Sequence, residues 1–253
     1  MIHIQKVIIN KIPVLDVFQS EHTNRPLPTV VYYHGYNGEK ESSLTIAYKL
    51  AEKGMRVILP DSHLHGERKE SLSQIELDLL FWDIVIQNIK EFEQITEYLI
   101  EQKLTIPNRI GVGGTSMGGI TTFGALKNYE WINSAAVLMG SPKMTEYASM
   151  LIEQFNDANE EKISKEESEE ALAKLKPYDI SLQPELLNNR PLFIWHGEED
   201  QVVPFEYSKA FYKEIKQMYD IPNKLKFLNE EGRAHHISRL SIAETAAWFH
   251  SHL

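Results

Sequence analysis

The chain reads RIGVGGTSMGG over residues 109–119, where a short strand runs into a glycine-rich bend that carries Ser116. The pattern after the bend predicts a helix over residues 120–126. Small residues flank the serine because larger side chains there would collide with the strand and the helix. A phosphate-binding loop is the alternative, but no Lys-Ser or Lys-Thr follows the glycines. The stretch therefore predicts a nucleophilic serine at the carboxyl edge of a sheet.

Short apolar runs alternate with helical patterns along the rest of the chain. The predicted strands span residues 2–9, 12–18, 29–33, 56–60, 109–113, 134–139, 192–195 and 225–228. The other predicted helices span residues 43–53, 75–102, 205–219 and 240–252, and Ser241 with Glu244 has capping-box spacing. This alternation predicts an α/β fold: a mostly parallel sheet of about eight strands with helices on both faces, in one domain over residues 1–253.

The interval 143–190 separates two predicted strands by far more than a usual crossover connection. Its Glu- and Lys-rich run, 159–176, predicts a solvated helix. Met144 to Leu151 holds apolar residues that suit either the underside of a cap or ordinary core packing. Because long insertions in such sheets often cover active sites, we expect a small helical cap insertion here.

A serine nucleophile needs a general base and a carboxylate that orients the base. The segment after the strand at 192–195 reads HGEEDQVVP over residues 196–204. Asp200 is the expected carboxylate, while Glu198 and Glu199 are the alternatives and are expected to face solvent or to cap the next helix.

The base is expected after the last strand, where residues 230–237 read EEGRAHHI. Two adjacent histidines lie there. We favour His235 as the base, and His236 remains the alternative.

The oxyanion of an acyl-transfer reaction needs two preorganised amide donors. Met117 N–H is one candidate, because it directly follows the serine. The other candidate is Tyr36 N–H, in the segment HGYNG over residues 34–38. Gly35 would allow the backbone to approach the substrate closely.

Further histidines occur in the segment DSHLHGER, residues 61–68. The candidates for lining a substrate pocket are His34, Gly35, His63 and His65. Two histidines beside Glu67 also suggest a metal site, but we expect no metal and no other cofactor, because serine chemistry needs none. Phe81 and Trp82 are expected in the core, with pocket lining as the alternative.

Composition limits the partners. The 253 residues carry a formal net charge of −10 and include no cysteine, which removes thiol nucleophiles and disulfides. An acidic chain without a basic block is a poor candidate for binding nucleic acid or anionic membranes. The sequence shows no secretion signal and no membrane-spanning run. We therefore expect a cytoplasmic protein with a small-molecule substrate as partner, and the oligomeric state stays open.

Together these segments resemble the α/β-hydrolase superfamily across essentially the whole chain. Residues 34–36, the bend around Ser116 and the motif at 196–204 look like the prolyl oligopeptidase catalytic-domain and dienelactone hydrolase branch. The segment at 61–68 is similar to small bacterial esterases of that branch. The resemblance implies a carboxylesterase that cleaves short-chain esters through a Ser-His-Asp triad and an acyl-enzyme.

The same resemblance implies Gly232-x-x-His235 as the histidine motif, which favours His235 over its neighbour. The chain departs from the branch in two respects. Prolyl oligopeptidases carry a propeller that 253 residues do not accommodate, and dienelactone hydrolases use a cysteine that is absent here. A peptidase or thioesterase on the same triad is the alternative function, and a non-catalytic ligand-binding protein on this fold is a third.

Overall fold

The computed structural model describes residues 1–160 and 162–253. Its sheet consists of β1 (Ile2–Ile9), β2 (Ile12–Gln19), β3 (Leu27–Tyr33), β4 (Arg56–Pro60), β5 (Thr105–Thr115), β6 (Ser134–Leu138), β7 (Leu192–Gly197) and β8 (Leu225–Glu230). The spatial order is β1-β2-β4-β3-β5-β6-β7-β8. β1 and β2 are antiparallel to their neighbours, and every pair from β4 to β8 is parallel. The predicted fold class is confirmed.

Helices cover both faces of this sheet. They are α1 (Leu44–Glu52), α2 (Gln74–Leu79), α3 (Phe81–Glu101), α4 (Met117–Asn128), α5 (Met144–Ala158), α6 (Lys165–Leu175), α7 (Phe205–Ile215) and α8 (Arg239–His252). One core lies between the sheet and α1 and α8, and the other between the sheet and α3, α4 and α7. In β3, Val30 and Tyr32 belong to the first core, and Val31 and Tyr33 to the second. This two-residue period is what a strand buried on both faces requires.

Several predicted helix boundaries differ from the structure, and two of these differences have a local cause. The helix predicted over residues 75–102 is two helices, because the backbone of Leu80 turns to φ −90° and ψ 0°. The last helix begins at Arg239, and its capping box joins Ser238 to Ser241 rather than Ser241 to Glu244. Ser238 accepts the amide N–H of Ser241 at 2.9 Å, so the helix starts one residue earlier than predicted.

The interval 143–190 is largely helical. It contains α5, α6 and two short 3₁₀ turns, Ile180–Leu182 and Pro184–Leu187. Residues 165–175 of the charged run 159–176 form α6, which Ser164 caps with Glu167; position 161 of that run lies outside the described residues. Within residues 1–160 and 162–253, every helix is too short or too polar to cross a lipid bilayer.

The parallel strands direct their carboxyl ends to one edge of the sheet. The loops that follow β3, β5, β7 and β8 carry Tyr36, Ser116, Asp200 and His235. Open α/β sheets bind ligands outside the carboxyl ends of their strands, so the candidate site lies at this edge.

Candidate active site

Ser116 occupies a strained turn between β5 and α4. Its backbone has φ 54° and ψ −114°, a conformation that residues with a β-carbon rarely adopt. A β-carbon built on Gly114 would lie 2.2 Å from the Gly118 carbonyl oxygen, and one built on Gly118 would lie 2.2 Å from that of Tyr33. Only glycine fits at both flanking positions, so the strand and the helix pack close enough to hold the turn.

The structure brings Ser116, His235 and Asp200 together. His235 Nε2 lies 2.8 Å from Ser116 Oγ, and His235 Nδ1 lies 2.6 Å from Asp200 Oδ2. A carboxylate can only accept, so Nδ1 carries the proton and the Nε2 lone pair accepts the serine hydroxyl. This arrangement can move a proton from the serine to the imidazole.

The Asp200 carboxylate is buried and fully hydrogen-bonded. Its Oδ1 accepts the N–H groups of Val202 and Val203 at 2.9 and 3.0 Å, and its Oδ2 also lies 3.1 Å from His196 Nε2. Burial by itself would raise the pKa of Asp200, but hydrogen bonds from His196 and His235 outweigh burial and hold that pKa well below its usual value. The carboxylate therefore stays charged at neutral pH.

The alternative acid and base residues lie elsewhere. Glu198 and Glu199 are exposed to solvent. His236 is also exposed, and its Nε2 lies 2.9 Å from Arg233 Nη1. None of these side chains makes a hydrogen bond with Ser116 in the part of the chain that the structure describes.

The two candidate oxyanion donors flank the serine. Neither Tyr36 N–H nor Met117 N–H donates to a protein acceptor within the described residues. Gly35 lies beside the nucleophile, since a β-carbon built on it would be 3.6 Å from Ser116 Cβ. Both amides therefore remain candidates for binding an oxyanion.

His34 and His65 support this loop rather than line a pocket, which corrects the expectation from the sequence. Both side chains are almost fully buried. His34 Nε2 accepts Ser62 N–H at 3.0 Å, and His65 Nε2 accepts Asn37 N–H at 3.1 Å. Burial lowers the pKa of His34 to about 4, and it also lowers the pKa of His65. Both rings are thus neutral acceptors near pH 7, and they tie the loop after β3 to the loop after β4.

His63 also lies away from the cavity beside Ser116. Its ring Nδ1 is 3.3 Å from Arg68 Nη2, and Arg68 forms an ion pair with Glu91 at 2.7 Å. Glu67 pairs with the buried Lys40. In residues 1–160 and 162–253, no three acidic or histidine side chains converge as metal ligands would.

A cavity of about 460 Å³ opens at Ser116. One part of its lining comes from α3, α4 and the loop after β7, and includes Phe81, Trp82, Ile120, Val202 and Val203. The other part comes from the interval 143–190: Tyr147, Leu151, Ile152, Phe155, Ile163 and Ala171. Phe81 and Trp82 therefore line the pocket, which was the alternative to core packing. None of the described lining residues is basic and one, Asp78, is acidic, so the cavity suits an apolar group without negative charge.

Comparisons with known proteins agree with this architecture. The chain matches the model of the prolyl oligopeptidase family over residues 43–253. Over their full lengths, it is 40% identical to the YitV protein of Bacillus subtilis (strain 168) and 30% identical to Esterase YjfP of Escherichia coli (strain K12). The crystal structure of TT1662 from Thermus thermophilus shares the fold, with a TM-score of 0.78 and 18% identity over 99% of this chain and 98% of that one. The chain therefore belongs to the prolyl oligopeptidase family, has the α/β-hydrolase fold, and is a hydrolase.

Proposed function

We propose that this hydrolase is a carboxylesterase that cleaves short-chain carboxylic esters through Ser116, His235 and Asp200. The observation that carries the proposal is the position of the His235 ring, 2.8 Å from the serine hydroxyl and 2.6 Å from the carboxylate. The full-length similarity of the chain to a protein named as an esterase favours an ester substrate over other acyl compounds.

In the proposed reaction, Ser116 Oγ attacks the acyl carbon while His235 Nε2 accepts the hydroxyl proton. The N–H groups of Tyr36 and Met117 bind the oxyanion. The imidazolium, stabilised by Asp200, gives the proton to the leaving oxygen; the C–O bond breaks and the alcohol departs. Water then attacks the acyl group on Ser116 and gives a proton to His235, which returns it to Ser116 Oγ as the acid leaves.

The apolar cavity supports a substrate without negative charge, and we further propose that residues 143–190 act as a cap over it. About half of the residues that line the cavity come from this interval. An apolar enclosure would exclude water from the acyl group and would disfavour an anionic ester, for which the described lining offers no cation.

Ser116→Ala tests the nucleophile. We expect hydrolysis of p-nitrophenyl butyrate to fall to background, since loss of a serine nucleophile can lower kcat by about 10⁶. Ser251→Ala, at an exposed position in α8, is the matched control and should keep wild-type activity. Initial rates on purified proteins measure both. Near-normal turnover by Ser116→Ala would overturn the assignment.

A peptidase is the second candidate, favoured by the name of the family that the chain matches, and a thioesterase on the same triad is the alternative to it. A panel of oxygen esters, thioesters and aminoacyl amides with one acyl group separates the three activities. We expect the highest kcat/KM on the oxygen esters. A higher value on the amides or thioesters would replace the proposed function, and inactivity on all three would favour a binding protein.

A further inference from the structure

One carboxylate oxygen of Asp200 lies within hydrogen-bond distance of two histidines. His235 Nδ1 lies 2.6 Å from Oδ2, and His196 Nε2 lies 3.1 Å from the same atom. His196, at the end of β7, has a fully buried side chain and does not line the cavity at Ser116. His196 therefore contacts Asp200 on the side away from the cavity and has no access to substrate.

The surroundings of His196 define which nitrogen donates. Nε2 faces two acceptors, Asp200 Oδ2 at 3.1 Å and the Val203 carbonyl oxygen at 3.0 Å. Since neither oxygen carries a proton, Nε2 must carry one. Nδ1 lies 2.9 Å from Ser208 Oγ, and the same hydroxyl, whose single proton can be donated to either acceptor, lies 3.0 Å from the Gly140 carbonyl oxygen. Ser208 is fully buried as well, so the ring is held in one orientation from both sides.

We propose that His196 is a positioning residue, which orients the Asp200 carboxylate and limits the negative charge that Asp200 presents to His235. The proposal rests on the proposed roles of Ser116, His235 and Asp200. A carboxylate that accepts an additional hydrogen bond is a weaker base, because the donor stabilises its charge. Without the His196 donor, Asp200 would attract the His235 proton more strongly, and the imidazole would act as a base only at higher pH.

Other titratable groups lie on the elements around this pair, and within the described residues none of their side chains hydrogen-bonds to the Asp200 carboxylate. They are Tyr147, Glu198, Glu199, Glu206, Tyr207, Lys209, Glu230, Arg233 and His236. Tyr147 donates its hydroxyl to the Val202 carbonyl oxygen, and Glu198 and Glu199 are exposed. In the described chain, only the two histidines contact the carboxylate with their side chains. The effect of His196 on Asp200 can therefore be measured separately from the effects of these other titratable groups.

His196→Phe tests the proposal, because phenylalanine keeps a ring of similar size and removes the donor. We expect the acid limb of the kcat/KM profile for p-nitrophenyl butyrate to move up by about 0.5 to 1 pH unit, with kcat lowered about tenfold and KM within twofold. His196→Gln, whose amide can still donate to Asp200, should restore most of the shift. An acid limb unchanged in His196→Phe would overturn the proposal.

Two further variants separate this role from simple packing. Phe205→Leu alters a ring that contacts His196 edge-on, with centroids 5.8 Å apart, but touches no hydrogen bond; its acid limb should match wild type. Ser208→Ala removes the support at Nδ1 and should give a smaller upward shift. If His196→Phe does not fold, Ser208→Ala becomes the test: an acid limb of its kcat/KM profile that matches wild type would reject the proposal. Activity retained in Ser116→Ala would instead reject the proposed function itself.

Discussion

At the scale of single residues, the candidate site depends on a strained serine that the surrounding backbone holds in place. A residue at φ 54° and ψ −114° carries strain of about 1–3 kcal/mol. Ser116 N–H donates to the Leu138 carbonyl oxygen at 2.9 Å, and the Ser116 carbonyl oxygen accepts Ile120 N–H at 2.9 Å. With both sides of the turn bonded, the hydroxyl is directed at His235 before any substrate arrives.

The adjacent histidines make a prediction at this scale. We expect His235→Ala to lower kcat/KM on p-nitrophenyl butyrate by about 10⁴ or more, because the serine loses its base. His236→Ala is the matched control and should stay within about threefold of wild type, since its side chain is exposed and bonded to Arg233. Rates at pH 7.5 compare the two. A larger loss in His236→Ala than in His235→Ala would assign the base to His236.

At the scale of elements, α5 and α6 form one wall of the cavity. Tyr147 and Phe155 reach it from α5, and Ala171 from α6. Both helices are amphipathic and expose most of their charged residues, so the apolar side remains for the cavity. The size of the side chains on that side would limit the acyl groups that fit.

Ala171→Trp tests this wall. The added ring should reduce kcat/KM on p-nitrophenyl octanoate by about tenfold, equivalent to about 1.4 kcal/mol, and leave the acetate within twofold. Ala173→Trp, at an exposed position of the same helix, should change neither substrate. The ratio of the two esters is the measurement. An equal loss on both, or the same loss in the control, would argue against a cap that selects the acyl group.

At the scale of the whole molecule, stability is linked to the buried histidines that join the loops after β3 and β4. Burial lowers the pKa of His34 from 6.5 to about 4. The unfolded chain thus takes up a proton at this position near pH 6.5, whereas the folded chain takes it up only near pH 4. The stability present above pH 6.5 is therefore lost as the pH falls to about 4, and no further loss from this group follows below that.

This linkage predicts a change in the free energy of unfolding. Between pH 6.5 and pH 4, titration of His34 should lower the free energy of unfolding of the wild type by about 3 kcal/mol. This contribution should be absent from His34→Gln, because glutamine does not titrate. Urea unfolding across this range measures the slopes. His236→Gln, which removes an exposed histidine, should follow the wild type. Parallel slopes in His34→Gln and wild type would contradict the linkage.

Much of the fold is readable along the chain. The strand predicted over residues 56–60 is β4 with the same bounds, because Val57, Ile58 and Leu59 form a buried apolar run between Arg56 and Pro60. The bend at Ser116 is likewise recognisable, since only glycine fits at Gly114 and Gly118. The break at Leu80 had no such local sign, as neither glycine nor proline lies there.

Local pattern alone therefore determined the α/β alternation, the nucleophile turn and the residues Asp200 and His235 as candidates, because strand runs, turn sterics and motif spacing are properties of neighbouring residues. Only the tertiary structure decided that His34 and His65 support the loop at Tyr36 and that His196 contacts Asp200 from behind. It also placed the helices of residues 143–190 against the cavity. Those contacts depend on which loops meet at the carboxyl edge of the folded sheet, and burial, not residue type, decides whether a histidine faces substrate or accepts a backbone N–H.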